Sequence, residues 1–379
     1  MSAAPRVVEL TAGPHDRLHC PVLVRLQDEH GGKPPLLVGP TGQKLPLQRV
    51  SEDEFAFIAP AIEAGERTAY RVEEGEPGAA TMEVRPAENS LALCEGGQQF
   101  SVYVYAGVPA RPYFYPVVAP GGVPVTRSFP MRDDVPGERH DHSHHRSIWI
   151  AYGDVNGADN WSEEPGHGFT EHGSIDALES GPVFARFRTT SLWLDRDRKP
   201  LLTQTLDVRA WKSCDLFRLL DFVVTLSATH GDVRFGDTKE GGILSVRVAS
   251  SMDVPRGGRI ENSYGGIDEG ETWGLAAHWC DYSGQVDGQD VGIAVMDHPW
   301  SFRYPTHWHV RNYGLMTANP FGYSHYTDGR KRGDYLLDSE SKLEFRYRVA
   351  VHRGDASLAG LRGRYLDFVS PPQAATIPS

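Results

Sequence analysis

The sequence predicts a mainly β protein: a large antiparallel β-sandwich that carries the functional residues, with a small β domain at its N-terminus. Three observations predict it. Period-two alternation of apolar and polar residues dominates wherever a pattern is legible, helical periodicity is scarce, and no unit of about 40 to 50 residues recurs, which favours a sandwich over a propeller.

In LTQTLDVRAW, Leu206, Val208 and Ala210 fall on one face while Asp207 and Arg209 fall on the other. In KLEFRYRVAVH, Leu343, Phe345, Tyr347, Val349 and Val351 alternate with Glu344, Arg346, Arg348 and His352. Both read as half-buried antiparallel strands. PVFARFRTTSLWL and DLFRLLDFVVTLSAT add two long strands, with DRDRKP and KSCD as turns, so residues 182–228 read as a three-stranded meander. Strands of this length belong to large, curved, packed sheets.

The first 90 residues differ in texture. Short strands such as PVLVRLQ, EFAFIAP and TAYRVEE are separated by Gly and Pro, and no His/Trp motif occurs. This predicts a small sandwich-like domain over residues 1–90 and a large domain over 91–372, with the boundary in PAENS at 86–90. An N-terminal extension of a single sandwich fits the pattern too. Near the C-terminus, DASLAGLRGRYLDFV places Leu358, Leu361 and Tyr365 at helical spacing behind Asp355 as N-cap. Pro371 and Pro372 end that helix, and a loose tail is expected beyond them.

The net charge of −12 and pI near 5.7 disfavour non-specific binding to nucleic acid or anionic membrane, both of which need a basic surface. The opening MSAAPRVVEL lacks the basic flank and apolar core of a signal peptide, and no later segment reads as a membrane span. A cytoplasmic protein with neither nucleic acid nor membrane as partner is expected. Cys20, Cys94, Cys214 and Cys280 form no CxxC pair, so free and mostly buried thiols are expected, Cys280 in HWCDY included.

Twelve of the 16 histidines lie between His140 and His325, among Gly turns and tryptophans, a concentration more typical of a site than of scattered surface residues. Three segments carry it. If HDHSHHRSIWI is extended, His140, His142 and His144 share one face and His145 the other. His142 and His144 would then form a clip for a divalent metal, with Glu240 or His309 as a distant third ligand, although the neighbouring Arg146 cation disfavours it. Downstream, GDVNGADNW offers Asp154 and Asn156 to hydroxyls and Trp161 to the apolar face of a sugar, or else is a loop held by Asx turns.

In RFGDTKEGGILSVRV, Lys239 and Glu240 stand before a glycine pair, as an acid–base group or as an exposed charged turn. In MDHPWSFRYPTHWHVRNYGLMTANPFG, His307 and His309 share one strand face with Trp308 opposite, followed by Arg311 and Asn319 as candidate substrate-binding groups. No G-x-S-x-G elbow, phosphate loop or dinucleotide fingerprint is present.

Together with RPYFYPVVAPGGVPVTRSFP and HWCDYSG, these segments resemble the bacterial family labelled PmoA, "methane oxygenase PmoA", over residues 95–355. The resemblance implies a sandwich of the galactose mutarotase-like supersandwich type, with the site on a concave sheet. It also implies a role in carbohydrate catabolism linked to a sugar-oxidising dehydrogenase. His145, Glu240 and His309 become acid–base candidates, and Arg146 and Arg311 oxygen-binding ones.

The leading expectation is an enzyme acting on a sugar or keto-sugar derivative by proton transfer, of epimerase, lyase or hydrolase type. His145 and His309 would shuttle protons, assisted by Glu240 or Lys239. The alternatives are a non-catalytic carbohydrate-binding protein, a metal-dependent enzyme with a His-rich centre, and a structural or partner-binding sandwich. A shared site requires the three segments to converge in space.

Overall fold

The computed structural model describes residues 6–26, 35–75 and 80–377. The meander is formed by strands Phe184–Leu194, Pro200–Trp211 and Phe217–Ser227, and Lys342–Arg353 pairs onto the last of them. Along Pro200–Trp211, Leu206, Val208 and Ala210 are buried while Asp207 and Arg209 are partly exposed, as alternation requires. These strands belong to an eight-stranded antiparallel sheet.

An eleven-stranded sheet packs against it. Four of its strands, in spatial order, are Ile148–Val155, Gly241–Arg247, Leu315–Asn319 and His307–Arg311. The shared core takes Ile148, Val246, Met316 and Val310 from this sheet and Phe187, Phe222 and Val349 from the other. Each such side chain stabilises by about 1.5–3 kcal/mol on burial. The molecule is thus a large antiparallel β-sandwich with a smaller β unit attached.

The smaller unit has its own core, including Leu10, Val22, Phe57 and Tyr70. Its boundary is not at residue 90. Strands Met82–Pro86 and Ser90–Glu95 already form the edge of the eleven-stranded sheet, so the small unit ends before Met82. Nor is the C-terminal tail loose: Gln373–Ile377 pairs with Val7–Thr11 and completes the small unit's five-stranded sheet. The small unit is therefore built from both ends of the chain.

Gln27, the last residue of the predicted PVLVRLQ strand, lies outside the described residues. The C-terminal helix runs only over Leu361–Val369. Gly360 precedes it at a φ of 61°, a left-handed conformation that separates it from the turn in which Asp355 accepts the Leu358 N–H at 2.8 Å. Leu358 is consequently 61% exposed rather than part of the core face.

Candidate functional site

Strand pairing sets the frame of the site. Trp149, Ser245, Thr317 and His309 stand side by side across four strands, and Arg247, Leu315 and Arg311 form the next row. Residues alternating with them enter the core, so both rows lie on the sheet's other face. Adjacent strands are ~4.8 Å apart, which spreads the first row over ~14 Å. The glycine pair keeps the row flush: Gly241 has a φ of 115°, and a Cβ on Gly242 would sit 2.3 Å from Thr317 Oγ1.

On this face His309 is 2% exposed. Its Nδ1 accepts a hydrogen bond from the Trp273 indole N–H at 3.0 Å. An indole nitrogen only donates, so the His309 proton resides on Nε2. Burial, then the cations Arg311 and Lys239, hold its pKa down to about 3. His309 is therefore a neutral Nε2–H donor at neutral pH.

His145 is fixed in the same way, because its Nδ1 accepts from the Arg247 guanidinium at 3.0 Å. Its ring stacks between His142 at 4.8 Å and Trp149 at 5.4 Å. Burial, followed by His144 and Arg247, holds its pKa well below the ordinary value.

His307 has the opposite polarity. Its Nδ1 lies 2.7 Å from the Gly274 carbonyl, which only accepts, so Nδ1 carries the proton and Nε2 presents a lone pair. Tyr326 stacks on this ring at 5.4 Å, and burial lowers its pKa. His307 and His309 are two residues apart along one strand, a separation of about 6.6 Å. One face thus carries an acceptor imidazole beside a donor imidazole.

The segment before Ile148 is a loop, so the extended form on which the shared histidine face of HDHSHHRSIWI depends is not adopted. Arg127 shapes it: the fully buried guanidinium donates to the carbonyls of Phe129, Asp141 and His142 and to the Asp141 carboxylate. Asp141 also receives Arg247 at 2.8 Å. Burial pushes the Asp141 carboxyl up, but Arg247 and Arg127 prevail and hold it at about 2. His142 is turned into a φ of 43°, and its ring meets that of His144 at 71° rather than side by side. The strand alternation behind a His142/His144 metal clip is absent, and among the described residues no group of three or more His, Cys, Asp or Glu is placed to hold a metal ion.

Several other predicted roles change for local reasons. Arg146 spends both arms of its fork on Glu163, each at 2.8 Å. Asp154 accepts the Gly157 N–H at 2.9 Å within its own turn, as the Asx reading has it, whereas Asn156 accepts the Arg234 N–H at 2.7 Å and donates to the Asp232 carbonyl, tying the turn to the neighbouring strand. Trp161 is 3% exposed and packs against Trp149 and His145, which leaves no free indole face for a sugar. Asn319 donates to the Thr238 carbonyl and accepts from Phe321 and Gly322 N–H, clamping the loop that carries Lys239 and Glu240. Cys280, by contrast, is the free buried thiol expected: it is fully buried, and burial raises its pKa well above the ordinary value.

What remains near His307 and His309 is Arg311, Lys239 and Glu240. Arg311 pairs with Glu269 at 2.9 Å and lies over the Tyr313 ring. Lys239 and Glu240 form an exposed pair at 3.4 Å, yet Lys239 lowers the His309 pKa, and Glu240, after burial and the two arginines, acts on Tyr313. The three sequence segments therefore converge on one sheet face. Arg127, Asp141, Arg247 and Trp273 belong to the site as well. Of these only Arg247 carried a sequence signal, the alternation of Ser245 and Arg247 with Leu244 and Val246.

The low histidine pKa values have a measurable consequence. His309 at about 3, with His144 and His298 at about 4, refuse protons that the unfolded chain binds near 6.5. Folding stability should therefore fall as pH drops from about 6.5 towards 4, and His309→Gln should flatten that slope in urea titrations run across the range. An unchanged slope would contradict the neutral assignment.

Fold and site define the class: an antiparallel β-sandwich with a face of neutral, hydrogen-bond-fixed histidines. The chain belongs to a family of unknown function, DUF6807, whose model matches residues 90–365. No curated protein matches it. Among solved structures it is similar to a glycosyl hydrolase family 38 protein from Enterococcus faecalis, at 10% identity and a TM-score of 0.46 over 99% of this chain and 47% of that one. It is also similar to an alpha-mannosidase from Enterococcus faecalis V583, at 11% identity and a TM-score of 0.46 over 100% of this chain and 46% of that one. The chain spans about half the length of both proteins. Among the described residues no helix is long and apolar enough to cross a membrane.

Proposed function

We propose that the histidine face binds a sugar or keto-sugar derivative and moves a proton beside its carbonyl or at its anomeric carbon. The observation that carries this reading is the pair of complementary imidazoles, His307 with a free Nε2 lone pair and His309 with a free Nε2–H. In this mechanism His307 accepts the proton, and His309 donates a hydrogen bond to the oxygen on which negative charge develops. Arg311 supplies a fixed cation beside it.

His145 offers a second neutral donor, and Glu240 with Lys239 a carboxylate and an ammonium at the rim. Sugar hydroxyls both donate and accept, which suits this mixture, and the rings of Tyr313, Tyr323 and Tyr326 provide apolar surface. His145 and His309 are thus polarising donors rather than the proton shuttles first expected. A keto-sugar substrate requires a sugar-oxidising dehydrogenase upstream, which is the functional partner implied.

The test is NMR of the purified protein in D2O with a panel of sugars and 3-keto sugars, following product formation and deuterium uptake. His307→Ala and His309→Ala should each lower turnover by about 10²- to 10⁴-fold. His309→Gln, which keeps an N–H donor, should retain more activity than His309→Ala. Turnover unchanged in both alanine variants would end this assignment.

A further inference from the structure

A cavity of about 340 Å³ lies on the outer face of the eight-stranded sheet, across the sandwich from the histidine face. Pro21 and Leu23 of the small unit close one side, and Phe368 of the C-terminal helix closes another. Its floor is a cross-strand ladder in which Arg209 stands opposite Asp221, and Asp221 opposite Arg348.

The carboxylates here are already engaged. Asp221 accepts from Arg348 Nε at 2.6 Å and from the Trp211 indole at 2.7 Å. Asp207 is paired with Arg186 and Arg188, and Asp367 with Arg17 and Arg364. The remaining arginine of the lining, Arg346, is paired with Glu344 at 2.7 Å.

The guanidinium groups are not all so satisfied. Among the described residues Arg209 has no carboxylate partner: it lies against the rings of Phe184 at 4.6 Å and Trp211 at 5.2 Å, with a buried, unpaired Nε. Arg348 is 4% exposed, and its Nη1 is likewise buried without a partner. Buried guanidinium N–H groups left unpaired are costly, and an anion that accepts from them removes the penalty.

We propose that this cleft binds a small organic carboxylate with an apolar body, its oxygens on Arg209 and the free edge of Arg348. Trp211 and Phe368 form the apolar wall, and the planar fork of Arg209 suits a carboxylate. Phosphate shares the acceptor chemistry but gains nothing from that wall. The site is independent of the histidine face and of any reaction there.

Isothermal titration and thermal shift of the full chain with benzoate, benzyl alcohol and inorganic phosphate test it. Benzoate should bind and raise Tm, and its neutral isostere benzyl alcohol should not. Arg209→Gln should weaken benzoate at least about 10-fold, and Phe368→Ala, which spares every ion pair, should weaken it as well. Benzoate binding that is matched by benzyl alcohol, or indifferent to both substitutions, overturns the proposal. Phosphate protecting where benzoate does not would overturn it in favour of an inorganic anion.

Discussion

Replacing His352 by leucine should destabilise the sandwich by about 3–5 kcal/mol, because it strands a carboxylate in a fully buried site. His352 and Asp281 have no exposed side-chain surface, and His352 Nε2 lies 2.9 Å from Asp281 Oδ1. The ring packs directly over Gly292, where a Cβ would lie 2.3 Å from it, so no water replaces a lost partner. Asp281→Asn should cost less, since it leaves no unpaired carboxylate.

The pair also sets a pH dependence. Burial pushes the His352 pKa down, but the charge and hydrogen bond of Asp281 outweigh it and hold the pKa above the ordinary value. Its contribution is complete below about pH 6.5, the unfolded value, and is lost as pH rises through the raised folded value. Urea denaturation of wild type and His352→Leu across that range should show the two curves converging at alkaline pH. Parallel curves would mean that His352 is neutral throughout.

The second large effect is expected at Arg127. Its guanidinium is the single anchor shared by the Phe129, Asp141, His142 and His145 carbonyls and the Asp141 carboxylate. Arg127→Ala leaves several acceptors without a donor, at a cost of about 3–5 kcal/mol. The loop of His142, His144 and His145 should open, and hydrogen exchange of the amides from 139 to 146 should accelerate. Arg127→Lys should rescue little, since one ammonium cannot replace a fork aimed at several oxygens. A denaturation midpoint within error of wild type for Arg127→Ala would contradict this role.

These two residues show what the sequence could and could not reveal. Strand alternation is a local property, so Leu206, Val208 and Ala210, and the shared face of His307 and His309, were legible. His352 occupies a polar position of KLEFRYRVAVH and reads as solvent-facing, yet it is fully buried because Asp281, 71 residues away, neutralises it. Residues 140–145, HDHSHH, carry no apolar period, and their shared histidine face depends on the stretch being extended. Arg127 and Arg247 hold it as a loop through contacts that only the folded chain makes.

The same holds for the roles within the site. Asp154, Asn156 and Asn319 have the right chemistry to bind a hydroxylated ligand, but their polar atoms are taken by backbone groups, within a turn for Asp154 and on segments distant in sequence for Asn156 and Asn319. The polarity of each imidazole depends on one distant partner, Trp273 for His309 and Gly274 for His307, and no spacing rule encodes that.

Long-range ¹⁵N–¹H correlation of the histidine rings reads the position of each ring proton. His309 and His145 should be neutral with the proton on Nε2, His307 neutral with the proton on Nδ1, and His309 should stay neutral down to about pH 4. In Trp273→Phe, which keeps an aromatic ring but removes the donor, the His309 pKa should rise and its tautomer preference weaken. A His309 that titrates near pH 6.5 in the wild-type protein, or carries its proton on Nδ1, would rule out its role as a neutral Nε2–H donor.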